Sequence, residues 1–363
     1  MELGYGVIGL GRISSRHIDA IDRLVEGCVV AVADANLGKA GAVAAERGGE
    51  ISAYADYREL LTDKRVEVAV VLVPTHLHAE VSVAAMDSGR HVICEKAMAP
   101  SVAECQAMIA ARDRNGVKLM IAHSTRFQPQ QLTARQLVDT GAIGEVIACD
   151  AHFTADATQE GEVPRDFWRF QAGAAGHGYV VNFGCHYIDA ARAMTGADPV
   201  AVQGFVGNRF SRGVIPEDHY AITALCDTGA LITITQHGYL QRYGVRSNGY
   251  VIFGTTGALE VTGHAGGVLV QAAGEEPREV APDPALRGES AWDREHQGFF
   301  ASIRDDSPEP VTGEDAMRNI EWASAAYLSS ERGCRLELPL TGDDLAYRGP
   351  MLESTLPEML GED

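Results

Sequence analysis

Tyr5-Gly6-Val7-Ile8-Gly9-Leu10-Gly11-Arg12-Ile13-Ser14 runs from a short apolar stretch through a glycine turn into a helical pattern. In that pattern Ile13, His17, Ala20, Ile21 and Leu24 share one face, while Arg12, Arg16, Asp19 and Arg23 point outward. A second apolar run, Cys28–Ala33, follows and closes on Asp34, twenty residues after Ser14. Strand, glycine turn, helix, strand and then an acid at this spacing is a βαβ unit shaped for a dinucleotide. Gly9 and Gly11 let the backbone approach a pyrophosphate, and the N-terminus of the helix, at Arg12 and Ile13, offers amides and partial positive charge. Ser14 stands where a third glycine is usual, a position that needs only a small residue for helix–strand packing. Asp34 can accept hydrogen bonds from the adenosine ribose hydroxyls and would repel a 2′-phosphate. Ala35-Asn36-Leu37 supplies no phosphate clamp, so NAD is expected in preference to NADP.

The alternation continues outward. Val66–Val73, His91–Cys94 and Lys118–Ala122 are further short Val/Ile-rich runs. Val68-Ala69-Val70-Val71-Leu72-Val73 does not alternate, which suits a strand buried on both faces of a parallel sheet. Ser101-Val102-Ala103-Glu104 reads as a capping box that opens a helix ending near Asn115-Gly116. Residues 1–123 are therefore expected to form a Rossmann-type, doubly wound parallel sheet in an α/β fold.

After residue 124 the pattern changes. Val146–Thr154, Val200–Val206, His219–Cys226, Ala230–His237, Tyr250–Gly254, Leu259–Thr262 and Val268–Ala272 read as strands with few helices between them. Asp227-Thr228-Gly229 and Thr255-Thr256-Gly257 look like hairpin turns. Helices are expected over roughly 177–195, 290–304 and 313–330. Residues 124–340 thus read as an α+β domain with an open, mostly antiparallel sheet, and 341–363 as an acidic arm or tail.

Composition narrows the function. The 363 residues carry a formal net charge of −20, which disfavours nucleic-acid backbones and anionic membrane surfaces as partners. Seven scattered cysteines with no CxxC argue against a disulfide framework or structural zinc and fit a reducing cytoplasm. No apolar stretch has the length of a membrane span, and the start lacks the order of a signal peptide. The twelve histidines show no HExxH or comparable spacing, so no metal is expected.

Lys96 is one of only four lysines, and it follows the apolar run His91-Val92-Ile93-Cys94 and Glu95, at the carboxyl end of a strand, where open α/β sheets place ligand chemistry. With the glycine turn, Val73-Pro74-Thr75-His76-Leu77-His78, Glu95-Lys96-Ala97 and the glycine-led stretch Gly176–Asp189, the chain resembles the Gfo/Idh/MocA (glucose–fructose oxidoreductase/inositol dehydrogenase) family over nearly its whole length. Those segments look like the family's Pro-Asn-x-x-His, Glu-Lys-Pro and Asp-x-Gly-x-His-x-x-Asp motifs, and Tyr250–Glu260 like its strand, Gly-Thr-x-Gly, strand element. The resemblance implies NAD(P)-dependent oxidation or reduction at one carbon of a sugar, sugar derivative or cyclitol. It also implies a homodimer or homotetramer packed through the C-terminal sheet. Two departures stand out: Ala97 replaces the motif's proline, losing a φ restraint, and Asn182 replaces its aspartate.

Within that resemblance Gly9, Gly11, Arg12, Ile13, Asp34, Pro74, Thr75, His78, Glu95 and Lys96 are the expected cofactor-binding residues. Asn182 and His186, four apart, are expected on one helix face. A neutral imidazole at His186 can take the alcohol proton, and the Lys96 ammonium can stabilise the developing alkoxide, or the two roles can be exchanged. Asn182 adds no charge, so His186 is expected to titrate lower than beside an aspartate, extending activity to lower pH. His123 and Arg126, after the last Rossmann strand, and Trp168 and Arg169, before the glycine-led helix, are candidate substrate contacts together with Lys96, Asn182 and His186. His177 can face the pocket, and Tyr239, Arg242, Tyr243 and Arg246 can reach substrate in this subunit or a neighbour. Two other functions fit the same residues: a retained-NAD enzyme that cleaves a glycosidic bond, and a non-catalytic dinucleotide or sugar sensor.

Overall fold

A computed structural model of the chain describes residues 2–48, 50–155, 178–208, 217–238, 248–262 and 267–349. Contacts divide it into two units, 1–124 with 289–318, and 125–288 with 319–363. The segment 289–318 packs with the first unit although it lies in the stretch that the sequence reading assigned to the second. The division falls inside the helix Gly313–Arg332.

The first unit holds a six-stranded sheet of β1 (Leu3–Ile8), β2 (Gly27–Ala33), β3 (Ser52–Tyr54), β4 (Val68–Val71), β5 (His91–Glu95) and β6 (Leu119–Ala122). The spatial order is β3-β2-β1-β4-β5-β6, and every pairing is parallel. This order reverses direction between β1 and β4, the place where doubly wound sheets bind their ligands. Every residue of β1, β4 and β6 is buried, as non-alternating apolar strands require when helices cover both faces. The helix Ser14–Arg23 buries His17, Ile18, Ala20 and Ile21. The returning helix Ala291–Arg304 packs on it, with Arg23 bonded to Asp293 and the Arg16 guanidinium over the Trp292 ring.

At the start of Val102–Asn115 the Ser101 hydroxyl accepts the Glu104 amide and donates to the Glu104 carboxylate, so the two expected capping residues meet. A capping box with both reciprocal bonds also stands at Ser290 and Asp293.

The second unit holds a nine-stranded sheet of β7 (Val146–Ala155), β8 (Pro199–Gly207), β9 (His219–Cys226), β10 (Leu231–Gly238), β11 (Gly249–Gly254), β12 (Gly257–Thr262), β13 (Val268–Ala272), β14 (Arg278–Val280) and β15 (Leu336–Glu337). Its order is β14-β13-β12-β11-β7-β10-β9-β8-β15, antiparallel except for the β7–β10 pair. The hairpins at 227–229 and 255–257 form as the turn residues demand, with Gly229 at a φ of +85°. Burial alternates along these strands, so one face packs and the other does not. By register Phe205, Leu231, Phe253 and Leu269 all lie on the unpacked face, and all four are exposed.

The expected helix 177–195 is broken. Tyr179–Asn182 and Gly184–Thr195 are separate helical segments joined at Phe183. Gly184 is a poor helix former, and the chain tightens there: the His186 amide bonds Phe183 three residues back, and the Cys185 thiol donates to the Asn182 carbonyl. Asn182 and His186 therefore flank a break instead of sharing one regular turn. The start of the expected tail is held, since Arg332 pairs with Asp344 and the Tyr347 hydroxyl bonds Glu331. Among the described residues no helix is long and apolar enough to cross a membrane, and no cluster suited to a metal ion occurs.

Candidate active site

In the first unit the loops after β1, β4 and β5 converge. Gly9 has a φ of +95°, and a Cβ there would stand 2.7 Å from the Leu72 carbonyl oxygen. Only glycine meets both demands, and it lets the β1 turn lie against the end of β4. A Cβ on Gly11 would meet nothing, so that backbone borders open space. The helix that follows has no side-chain cap at Ile13, leaving an amide-rich end for an anion. Ser14 reinforces the turn by donating its hydroxyl to the Gly11 carbonyl at 2.7 Å. Asp34 accepts the Leu10 amide at 2.9 Å on one oxygen and the Asn36 amide at 2.8 Å on the other. Its carboxylate thus ties the glycine turn to the end of β2 while staying half-exposed. An uncapped helix end, a glycine-lined turn beside open space and a fixed carboxylate fit the pyrophosphate and ribose of NAD. Arg12 is exposed at this turn.

Pro74 opens a short 3-10 turn, Thr75–Leu77, and Thr75 is buried. The buried His78 ring spans two loops: Nδ1 lies 2.8 Å from the Ala97 carbonyl and Nε2 2.8 Å from the Val73 carbonyl. Burial pushes its pKa down, and the two carbonyls oppose that shift. His78 therefore clamps the β5 loop to the β4 loop. The Lys96–Ala97 peptide is cis. Lys96 is half-buried, and its amide donates to Glu95 Oε2 at 3.0 Å. The other Glu95 oxygen lies 3.1 Å from His17 Nε2. Burial alone would raise the Glu95 pKa, but the hydrogen bond from His17, with the Lys96 ammonium nearby, outweighs it and holds the carboxyl below its usual range. The site thus keeps a carboxylate directly behind its lysine. His123, at the end of β6, is 1% exposed.

In the second unit His186 sits near the start of Gly184–Thr195, half-buried, with Nδ1 3.1 Å from the Thr125 hydroxyl. Arg126 spends two guanidinium nitrogens on Asp189, which is fully buried and also accepts from Asn319 at 2.9 Å. Asn319 in turn accepts from Arg192, and Arg192 grips Asp198. This network anchors the helix behind His186. Arg126, expected as a substrate contact, is built into that anchor. Ahead of the break, Gly178 lies against Glu217: a Cβ on Gly178 would meet Glu217 Oε2 at 1.6 Å. The Glu217 Oε1 atom accepts the Val180 amide at 2.8 Å and the Tyr327 hydroxyl. Burial pushes the Glu217 carboxyl up to about 7. Below the helix Tyr187 stacks on Phe153, with ring centroids 3.5 Å apart.

Trp168, Arg169, His177, Tyr239, Arg242, Tyr243 and Arg246 lie outside the described residues. Thr125, His17, His296 and Glu217 were not singled out from the sequence for the site. His17 carried a signal, as a histidine on an otherwise apolar helix face; Glu217 carried none beyond its charge.

Two family models match the chain. The "oxidoreductase family, NAD-binding Rossmann fold" model covers residues 3–123, and the "GFO/IDH/MocA C-terminal domain" model covers 131–260. The chain belongs to the Gfo/Idh/MocA oxidoreductase family. An uncharacterized oxidoreductase, ORF334, of Rhizobium meliloti is 30% identical over 91% of this chain and 97% of its own length. The inositol 2-dehydrogenase of Salmonella paratyphi B is 28% identical over 94% of this chain and 99% of its own length. A levoglucosan dehydrogenase solved with NADH and levoglucosan superposes with a TM-score of 0.85 at 23% identity, covering 94% of this chain and all of that one, a likeness of fold. The chain is thus an NAD-binding oxidoreductase of this family.

Proposed function

We propose that the protein interconverts a secondary alcohol and a ketone on a sugar, sugar derivative or cyclitol. The observation that carries this reading is the convergence of the β1, β4 and β5 loops, which sets Lys96, backed by an ionised Glu95, beside a glycine turn fit for a dinucleotide. The Salmonella relative, an inositol 2-dehydrogenase, supports the substrate class.

Gly9, Gly11, Arg12 and Ile13 would hold the pyrophosphate, Asp34 the ribose, and Pro74, Thr75, His78 and Glu95 the side nearer Lys96. NAD in preference to NADP is supported by Asp34, whose carboxylate would repel a 2′-phosphate, and by Ala35-Asn36-Leu37, which supplies no arginine after it. When bound, NAD supplies the hydride acceptor. Lys96 donates a hydrogen bond to the substrate oxygen and stabilises its developing negative charge. His186 takes the hydroxyl proton on Nε2, with Nδ1–H donated to Thr125. Asn182 orients the substrate or the imidazole without adding charge. His123, Trp168 and Arg169 remain proposed substrate contacts, and Arg126 is assigned to holding the Asp189 helix. We further assign the unpacked face of the second sheet, with Phe205, Leu231, Phe253 and Leu269, to packing against a second copy in a dimer or tetramer. The seven cysteines, none in a disulfide, support a cytoplasmic setting.

The test is NADH absorbance with purified protein, NAD and a panel of sugars, uronates and inositols, run beside Lys96→Ala. Turnover with one substrate, reduced about a hundredfold or more in the variant, supports the reading. Cofactor binding with no free NADH from any substrate would reject it in favour of a retained-cofactor lyase or a sensor.

A further inference from the structure

The helix Ser14–Arg23 buries a histidine that neither the cofactor nor the proposed proton transfer uses. His17 is 0% exposed, and both of its ring nitrogens are engaged: Nε2 by Glu95 Oε1 at 3.1 Å and Nδ1 by His296 Nε2 at 3.0 Å. His296 comes from the returning helix Ala291–Arg304, is also 0% exposed, and meets His17 edge-on with ring centroids 5.2 Å apart. Its Nδ1 has no hydrogen-bond partner among the described residues.

That missing partner sets the direction of the protons. With Glu95 ionised, His17 must donate from Nε2. If the His17 ring is neutral, its Nδ1 is a lone pair that accepts Nε2–H of His296, and His296 Nδ1 is left as a bare lone pair. If His17 were doubly protonated, the proton of His296 would sit on Nδ1 as a buried donor with no acceptor. Both arrangements leave His296 Nδ1 unsatisfied, but an orphaned N–H is tolerated in buried sites less than a bare lone pair, so the neutral arrangement wins. The bonds then run one way: His296 donates to His17, His17 donates to one Glu95 oxygen, and the other oxygen accepts the Lys96 amide at 3.0 Å.

We propose that His17, held from behind by His296, is a positioning residue for Lys96: it fixes the Glu95 carboxylate, and the carboxylate fixes the backbone of the lysine. The proposal rests on the role given to Lys96 above. A merely packed histidine would need neither a donor at Nε2 nor an acceptor at Nδ1, and a leucine would fill the same apolar stripe.

Two near-isosteric variants of the full chain separate positioning from packing. The His17→Gln amide can place its N–H where Nε2 stands, whereas the His17→Asn amide reaches only the Nδ1 position. Hydrogen exchange at the Lys96 amide, read without cofactor or substrate, reports the positioning directly. It is paired with NADH fluorescence titration, kcat and KM. In His17→Asn, exchange at Lys96 should quicken about tenfold or more and kcat fall by a similar factor, with the NADH Kd and the sugar KM within about threefold of the parent. His17→Gln should stay within about threefold of the parent in all four. Equal behaviour of Gln and Asn, or unchanged Lys96 exchange in both, overturns the proposal. Should neither variant fold, Glu95→Gln, which keeps the volume, must quicken Lys96 exchange in the same way, and unchanged exchange there overturns it as well. A parent that binds NADH but turns over no sugar defeats the dehydrogenase reading, while the exchange result still decides the positioning.

Discussion

The Asp34 carboxylate accepts the amide of Leu10 across the glycine turn at 2.9 Å. One side chain thereby shapes the turn and presents charge at the place where an adenosine ribose is expected. Asp34→Ser should raise the KM for NAD about tenfold and narrow the preference over NADP, because both a charge-assisted acceptor and a repulsive charge are removed. Initial rates with each cofactor measure the effect, and an unchanged NAD/NADP ratio would show that Asp34 serves the turn alone.

Thr125 should matter to His186. With the base at Nε2, the Nδ1 proton needs the Thr125 hydroxyl as acceptor, 3.1 Å away. Thr125→Val keeps the shape and removes that acceptor, so kcat should fall about tenfold, whereas Thr125→Ser should stay near the parent. Equal rates for Val and Ser would mean that the hydroxyl does not hold the ring.

Asn182→Asp restores the family's usual charge beside His186. An added anion favours the imidazolium and raises the pKa of the base. The base works deprotonated, so the acid-side limb of the kcat/KM profile should move up by about one pH unit. An unmoved limb would separate Asn182 from the titrating group.

Glu217 has a stability signature of its own. Its folded carboxyl is raised to about 7, so between the ordinary carboxylate range and neutrality the folded state binds more protons than the unfolded one. Its contribution is present in full below the unfolded pKa and is lost as pH rises through about 7. Denaturant unfolding at about pH 5 and about pH 8 should show Glu217→Gln gaining stability relative to the parent at the higher pH, by roughly 3 kcal/mol at most. A parent–variant difference that does not change with pH would place the proton elsewhere.

The parts legible in the sequence are those governed by local rules. Val68–Val71 could only be a strand buried on both faces, because four apolar residues in a row leave no polar side. Gly9 is fixed by a positive φ and a close carbonyl, and the hairpin at Gly229 by its turn. Strand β3 escaped notice because Ser52-Ala53-Tyr54 is too short and too mixed to show a period. The break at Phe183 was hidden because Asn182 and His186 have helical spacing, and only the weak propensity of Gly184 hinted otherwise. Spacing put Asp34 after β2, Lys96 after β5 and His186 in a helix, and those elements form. It could not show that Arg126 pairs with Asp189, or that Glu95 is gripped from behind, because those partners lie 63 and 78 residues away in the chain.

The return of residues 289–318 to the first unit has a consequence for how this molecule can be rebuilt. The nucleotide-binding unit is a composite of two separated stretches, not a cassette that ends near residue 124. A chimera that exchanged everything after that point would bring a foreign residue to the place of His296, behind His17. A working graft has to transplant the helix Ala291–Arg304 along with the glycine turn, as a pair.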